Sequence, residues 1–179
     1  PYVTLSRAAS LASAGLTPNQ GAAATGADSL GAGNPLFGAL SALDAASAQY
    51  AFDQISGEIH ASVKSGLIEE SRYLREAVLG RLAEAGDDTG AWTEVFGAYA
   101  HSASDGNAAA SHRGSGGFLI GVDTPLAGAW AAGFVAGFSR SVFTAPDRMS
   151  SATADTFHAG LYGGIEQDGL AARIGGAYP

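Results

Sequence analysis

The stretch GSGGFLIGVDTPLAGAWAAGFVAGFSRSVF, residues 114–143, decides the fold. Its side chains alternate with a period of two. Phe118, Ile120 and Val122 share one face, and Leu119, Gly121 and Asp123 share the other. After the break at Pro125 to Ala129 the alternation resumes, with Ala132, Phe134, Ala136 and Phe138 opposite Gly133, Val135, Gly137 and Ser139. A period of two is the mark of a half-buried β-strand. Working outward, Phe157, Ala159 and Leu161 oppose His158, Gly160 and Tyr162, while Leu170, Ala172 and Ile174 oppose Ala171, Arg173 and Gly175. The pattern predicts five strands, at Trp92 to Ser102, Gly116 to Thr124, Trp130 to Phe143, Asp155 to Ile165 and Leu170 to Tyr178. The first is the least regular, because Trp92 and Phe96 share a face with Glu94.

One face of these strands is apolar and the other is mainly small or polar. The expected connections run long, short, long, short: 103–115, 125–129, 144–154 and 166–169. Strands of about ten residues joined in this way suit a transmembrane β-meander, with long loops on one side and short turns on the other. Trp92, Tyr99, Trp130, Phe143 and Tyr178 lie toward strand ends, where interfacial aromatic girdles are expected. Gly117, Gly121, Gly133, Gly137, Gly160 and Gly164 would let a helix approach the inner wall, or mark bulges. A water-exposed antiparallel sheet alternates as well, so a soluble or surface-associated β-rich binding module, such as an adhesin fragment, is the alternative.

The first half is helical. Thr17 followed by Pro18 is a helix start, predicting a helix from Pro18 to about Leu30 that AGNP at 32–35 ends. A second short helix is expected from Pro35 to Leu43. Asp44 to Glu84 then holds the longest helical segment, with Phe52, Ile55, Ile59, Val63, Leu67, Leu74, Val78 and Leu82 along one stripe. Charges occupy its other faces. Residues 58–84 would span roughly 40 Å at the helical rise. Gly86-Asp87-Asp88-Thr89-Gly90 is the expected stop.

Composition narrows the function. Of 179 residues 38 are Ala and 26 Gly, against 36 Leu, Ile, Val and Phe together, which is thin for an ordinary soluble core. Nine Lys and Arg against seventeen Asp and Glu give a net charge of −8, which disfavours nucleic acid as a partner. No Cys is present, so disulfides and thiolate metal sites are excluded. The four His (His60, His101, His112 and His158) do not share metal-ligand spacing on a helix face. No G-x-S-x-G elbow exists, and GGFLIG lacks the dinucleotide-binding form. No catalytic, metal or cofactor residue is assigned, and no enzyme activity is expected of these residues. The abrupt ends suggest a piece of a longer protein.

The ordered segments carry a resemblance. SGEIHASVKSGLIEESRYLREAVLGRL at 56–82 resembles the helix that precedes the barrel of pertactin-like type V autotransporters. AWTEVFGAYAHSASDGNAA at 91–109, the stretch at 114–143 and DTFHAGLYGGIEQDGLAARIGGAYP at 155–179 resemble its first five strands. LTPNQ at 16–20 and GNPLFGAL at 33–40 also resemble segments found before such barrels. The fold class this implies is mostly β with a preceding α-helical linker: a transmembrane antiparallel barrel of about twelve strands in the family, about five present here, with a helix in its lumen. The implied division is a helical linker at the passenger's C-terminus over 1–57, a lumen-spanning helix over 58–86 and the N-terminal part of the barrel over 91–179. Five strands cannot close a barrel.

The implied function is an outer-membrane translocator and anchor of a Gram-negative bacterium, which secretes or displays its own N-terminal passenger domain. The implied partners are that passenger, outer-membrane lipid, the barrel-assembly machinery and periplasmic chaperones. The resemblance places Glu69, Glu70, Arg72, Arg75 and Glu76 on the lumen helix, facing Glu94, Asp123 and Arg173 on the wall. Phe118, Ile120, Val122, Phe134, Phe138, Phe157, Leu161, Leu170 and Ile174 would face lipid. One subgroup of autotransporters cuts its linker helix at an Asn pair. Asn19, Asn34 and Asn107 all lie outside the long helix, so that chemistry is not expected.

Overall fold

The computed structural model describes residues 9–84, 88–126, 129–167 and 170–178. The chain divides into two compact units. One holds the chain up to Ala61 with Ser102–Ser111 and Thr144–Ser151; the other holds Ser62–His101, His112–Phe143 and Ala152–Pro179.

The first unit is built from short, capped helices. Helix α1, Pro18–Ser29, begins as its sequence predicts: Thr17 Oγ1 accepts from the Gln20 amide at 3.2 Å, and Pro18 occupies the first turn. Asn34 caps α2, Pro35–Ser41, through the Leu36 amide at 2.9 Å. Asp44 caps α3, Ala45–Ile55, through the Ser47 amide at 2.9 Å. That bond holds the exposed Asp44 carboxyl below its ordinary range. Leu11, Ala24, Ala27, Leu40, Ala48 and Phe52 form the core of this unit. Half of that cluster is alanine, which lets short helices pack closely around the Phe52 ring, with Phe37 packed against the cluster.

The helical stripe from Asp44 onward is not one helix. It breaks at Ser56 and Gly57, and a second helix, α4, runs Glu58–Glu84. Gly57 sits at φ +67°, the left-handed conformation that ends helices at little cost for glycine. The expected stop at 86–90 lies partly outside the described residues. Among the described residues no helix is long and apolar enough to cross a membrane.

The second unit is a five-stranded antiparallel meander in the order β1-β2-β3-β4-β5, open at both edges. The strands are β1 Gly90–Ser102, β2 Ser111–Pro125, β3 Trp130–Ala145, β4 Ser150–Gln167 and β5 Leu170–Tyr178. Strands β2 and β4 begin earlier than hydrophobicity suggests, at Ser111 and Ser150, because ladder pairing with a neighbour satisfies the backbone whatever the side chain. The connections shrink accordingly to 103–110 and 146–149. The last expected turn falls partly outside the described residues.

The β4–β5 register pairs Tyr162 with Gly175, Leu161 with Gly176 and Arg173 with Gly164. Each bulky residue thus faces a glycine on the next strand. The same device operates on the inner face elsewhere. A Cβ at position 121 would strike the Trp92 indole, and one at 133 would strike the Tyr162 ring. The strand glycines therefore make room mostly for inward rings of neighbouring strands, which corrects the expectation that they admit the helix. At 117, 137 and 160 the obstructing groups are also strand atoms; helix side chains come near at Gly164, where Leu82 Cδ2 lies at 3.6 Å, and at Gly90, where a Cβ would meet the Arg81 guanidinium. Close approach by the helix comes from its own Gly66, where a Cβ would collide with Phe143 and with the Arg113 guanidinium.

Two further expectations change. The inner face is not mainly small and polar: Leu119, Val135, Phe143 and Tyr162 are buried on it. Leu74, Ala77 and Leu82 of α4 pack with Leu119, Val135 and Tyr162. Trp92 and Phe143 are not girdle residues either, since both point inward. Tyr99, Trp130 and Tyr178 remain exposed.

Gly133→Val forces the Tyr162 ring from its seat and should lower folding stability by about 1–3 kcal/mol. Gly80 on α4 has open space around its Cα, so Gly80→Ala should be neutral or stabilising by about 0.4–1 kcal/mol. Urea midpoints of the detergent-folded protein, read as heat-modifiable gel mobility, check both.

Candidate functional site

In the second unit, helix α4 lies on the inner face of the sheet and is tied there by two polar clusters. The first centres on Asp123 of β2, whose side chain is 3% exposed. Arg81 of α4 grips both its oxygens, Nε to Oδ2 at 2.7 Å and Nη2 to Oδ1 at 2.8 Å. Tyr162 of β4 donates to Oδ2 at 3.0 Å, and Trp92 Nε1 of β1 donates to the Tyr162 hydroxyl at 2.7 Å. The chain of bonds runs from Trp92 of β1 to Tyr162 of β4 and from there to Asp123 of β2, crossing above Gly121 and Gly133. A forked guanidinium on a buried carboxylate is the strong form of ion pair.

The second cluster centres on Arg113 of β2. It reaches Glu69 Oε2 through Nη2 at 2.8 Å and Glu70 Oε1 through Nε at 3.3 Å. Ser141 of β3 donates to the other Glu70 oxygen. Glu70 is 9% exposed whereas Glu69 is 55% exposed, so the deeper pair carries more weight. Nearby, Ser139 and His158 Nε2 lie 2.9 Å apart. Aromatic packing supports the same interface: Tyr73 of α4 stacks on Phe96 of β1 with centroids 5.0 Å apart.

The expected site residues separate into three groups. Glu69, Glu70 and Asp123 sit at the helix–sheet interface, each with a partner the sequence had not singled out. Arg72, Arg75 and Glu76 lie exposed on α4, with Arg72 against the Tyr73 ring, 5.1 Å from guanidinium carbon to centroid. Glu94 is exposed and makes no ion pair among the described residues. Arg173 lies 3.8 Å from Glu166 of the adjacent strand. None of the expected helix charges meets an expected wall charge.

The sequence pattern does not single out Arg81, Arg113, Ser141, Tyr162 or Trp92 as groups of the helix–sheet interface. Side-chain alternation alone leaves Arg113 in a connection; once β2 begins at Ser111, its parity places it on the face of Leu119 and Asp123. Arg81 belongs to the stripe Gly66, Glu70, Tyr73, Ala77 and Arg81, which has helical spacing but is half polar. A search confined to apolar residues passes over it.

On the outer face Phe118, Ile120, Val122, Phe134, Phe157, Leu161, Leu170 and Ile174 are exposed. Phe138 is half-buried, its ring tilted against Phe157 with centroids 5.2 Å apart. A sheet face this apolar, on the side away from the packed helix, is the pattern expected of a membrane-barrel wall.

Residues 91–179 match the family model Autotransporter beta-domain. Two curated relatives, each named "Extracellular serine protease" and both from Serratia marcescens, are 35% and 34% identical over 161 residues, covering 84% of this chain. The chain spans 15% of the length of each. No solved structure gives a significant match. Through residues 91–179 the chain belongs to the autotransporter β-domain family, whose members are passenger translocators of the Gram-negative outer membrane. The β-domain of that family is a translocator and not a catalytic domain.

Arg81→Ala strands the buried Asp123 carboxylate and should cost about 3–5 kcal/mol. Asp123→Ala should cost less, because the freed Arg81, 22% exposed, can turn to water. A double-mutant cycle in detergent unfolding checks the asymmetry. Equal single-mutant costs would contradict it.

Proposed function

We propose that the chain forms the linker and the first part of the barrel of an outer-membrane translocator. Residues 1–57 join the passenger, 58–86 run through the lumen and 91–179 begin the barrel wall. The observation that carries this is the pairing of an apolar, exposed outer sheet face with a charged helix bound to the inner face. A helix with charges has no reason to lie on the inside of a membrane sheet unless that inside is a wet lumen.

In this reading Arg113 with Glu69 and Glu70, and Arg81 with Asp123, hold the lumen helix to the wall. Arg72, Arg75, Glu76, Glu94 and Arg173 face lumen water. Phe118, Ile120, Val122, Phe134, Phe138, Phe157, Leu161, Leu170 and Ile174 face lipid. The passenger supplies whatever activity the whole protein has, and these residues perform no catalysis. The barrel-assembly machinery and periplasmic chaperones deliver the chain to the membrane, as an apolar sheet face needs shielding until it reaches lipid.

The test is a charge at the bilayer midplane. Ile120→Arg in the full-length protein should lower folding stability in lipid by about 2–4 kcal/mol and reduce surface display of the passenger. Thr124→Arg, also outward but at the end of β2, should cost about 0–1 kcal/mol. Equal small costs at both positions would sink the lipid-face assignment. Cooperative folding of the wild-type chain in plain buffer would favour the surface-associated binding module.

A further inference from the structure

The first unit contains an ion cluster that the translocator reading does not use. Arg148, in the 146–149 connection, is 13% exposed. Its Nε lies 3.0 Å from Glu58 Oε2, and its Nη2 lies 3.5 Å from Asp53 Oδ1. Asp53 is near the end of α3 and Glu58 begins α4, so one guanidinium bridges the elbow at Gly57. Both carboxylates are at least four-fifths buried, which makes their common cation costly to lose.

The same cluster reaches the other connection, 103–110. Glu58 Oε1 accepts from the Ala109 amide at 2.6 Å, and Arg148 Nη2 donates to the Asn107 carbonyl at 3.2 Å. The Asn107 side chain accepts from the Asn19 amide, in the first turn of α1, at 2.8 Å. Asp105 shapes this connection by accepting from the amides of Ala108 and Asn107, bonds that hold its carboxyl below the usual range. Gln54 of α3 donates to the Asp147 carbonyl at 3.1 Å. Helices from the start of the chain are thus bonded to two connections that follow them by about fifty to ninety residues.

We propose that Arg148 is a positioning residue that clasps α1–α3 to both connections, so that this helical segment stays fastened to the translocator and does not depart with the passenger. In an antiparallel meander the β1–β2 and β3–β4 connections emerge at the same end. Retention of the segment rests on the translocator reading; the clasp itself does not.

Hydrogen exchange on the full-length protein folded in detergent reads the clasp directly. In the wild type, peptides covering 103–110, 17–24 and 45–55 should be protected. Arg148→Ala should speed exchange in all three about tenfold or more, with the strands unchanged. Arg140→Ala, which removes an exposed pair with Asp155, should leave all three as they were. If Arg148→Ala fails to give the heat-modifiable form, Glu58→Gln replaces it. That variant keeps an oxygen for the Ala109 amide but loses the charge, and should accelerate the same peptides to a smaller extent. Acceleration confined to 146–149, or a wild-type 103–110 that exchanges like open chain, would overturn the clasp. Loss of passenger display with the clasp intact would instead count against the translocator reading.

Discussion

Asp123 is a carboxylate placed where water does not reach it, and the second unit is organised around neutralising it. The cation must come from α4, because the strands beside Asp123 offer rings and small residues there. Arg81 supplies it and so fixes both the rotation of α4 about its axis and its position along the sheet. Tyr162 and Trp92 complete the shell of donors and tie β4 and β1 to the same point. Without that constraint the apolar contacts of Leu74, Ala77 and Leu82 would allow α4 to slide, since hydrophobic contact has little direction.

The glycines serve the same arrangement. Two aromatic rings reach across neighbouring strands toward Asp123 only because positions 121 and 133 have no side chain. Glycine weakens a strand locally, by entropy and by lost packing. Here the loss is offset by a ring that covers the vacant site. At Gly66 the logic is reversed: the missing side chain is on the helix and the ring, Phe143, is on the wall. The interface is close on one side where the wall is bulky, and the reverse where the wall is bare.

The polar pairs at this interface also suit a translocator. A helix held by purely apolar contacts would leave the buried Asp123 carboxylate and Arg113 guanidinium of the wall unpaired. The Arg148 cluster of the first unit uses the same chemistry on another problem, joining segments distant in sequence through one buried cation.

The alternation in 114–143, the capped helix starts at Thr17 and Asn34 and the resemblance in 91–179 were legible from the residues alone. Period-two side chains, caps and turn residues act within a few positions, so local sequence determines them. Strand ends were less legible, because Ser111–Gly114 and Ser150–Ala154 enter the ladder through backbone pairing that no side-chain pattern records. The break at Gly57 interrupts a stripe whose apolar spacing continues unchanged across it. The partners of Glu69, Glu70 and Asp123 were hidden for another reason. Arg113 lies 44 residues from Glu69 and Arg81 lies 42 residues from Asp123. The sequence determined which faces are apolar and where helices begin; which charge meets which was decided only when α4 was laid across the sheet, because pairing across a packed interface depends on register in space and not on distance along the chain.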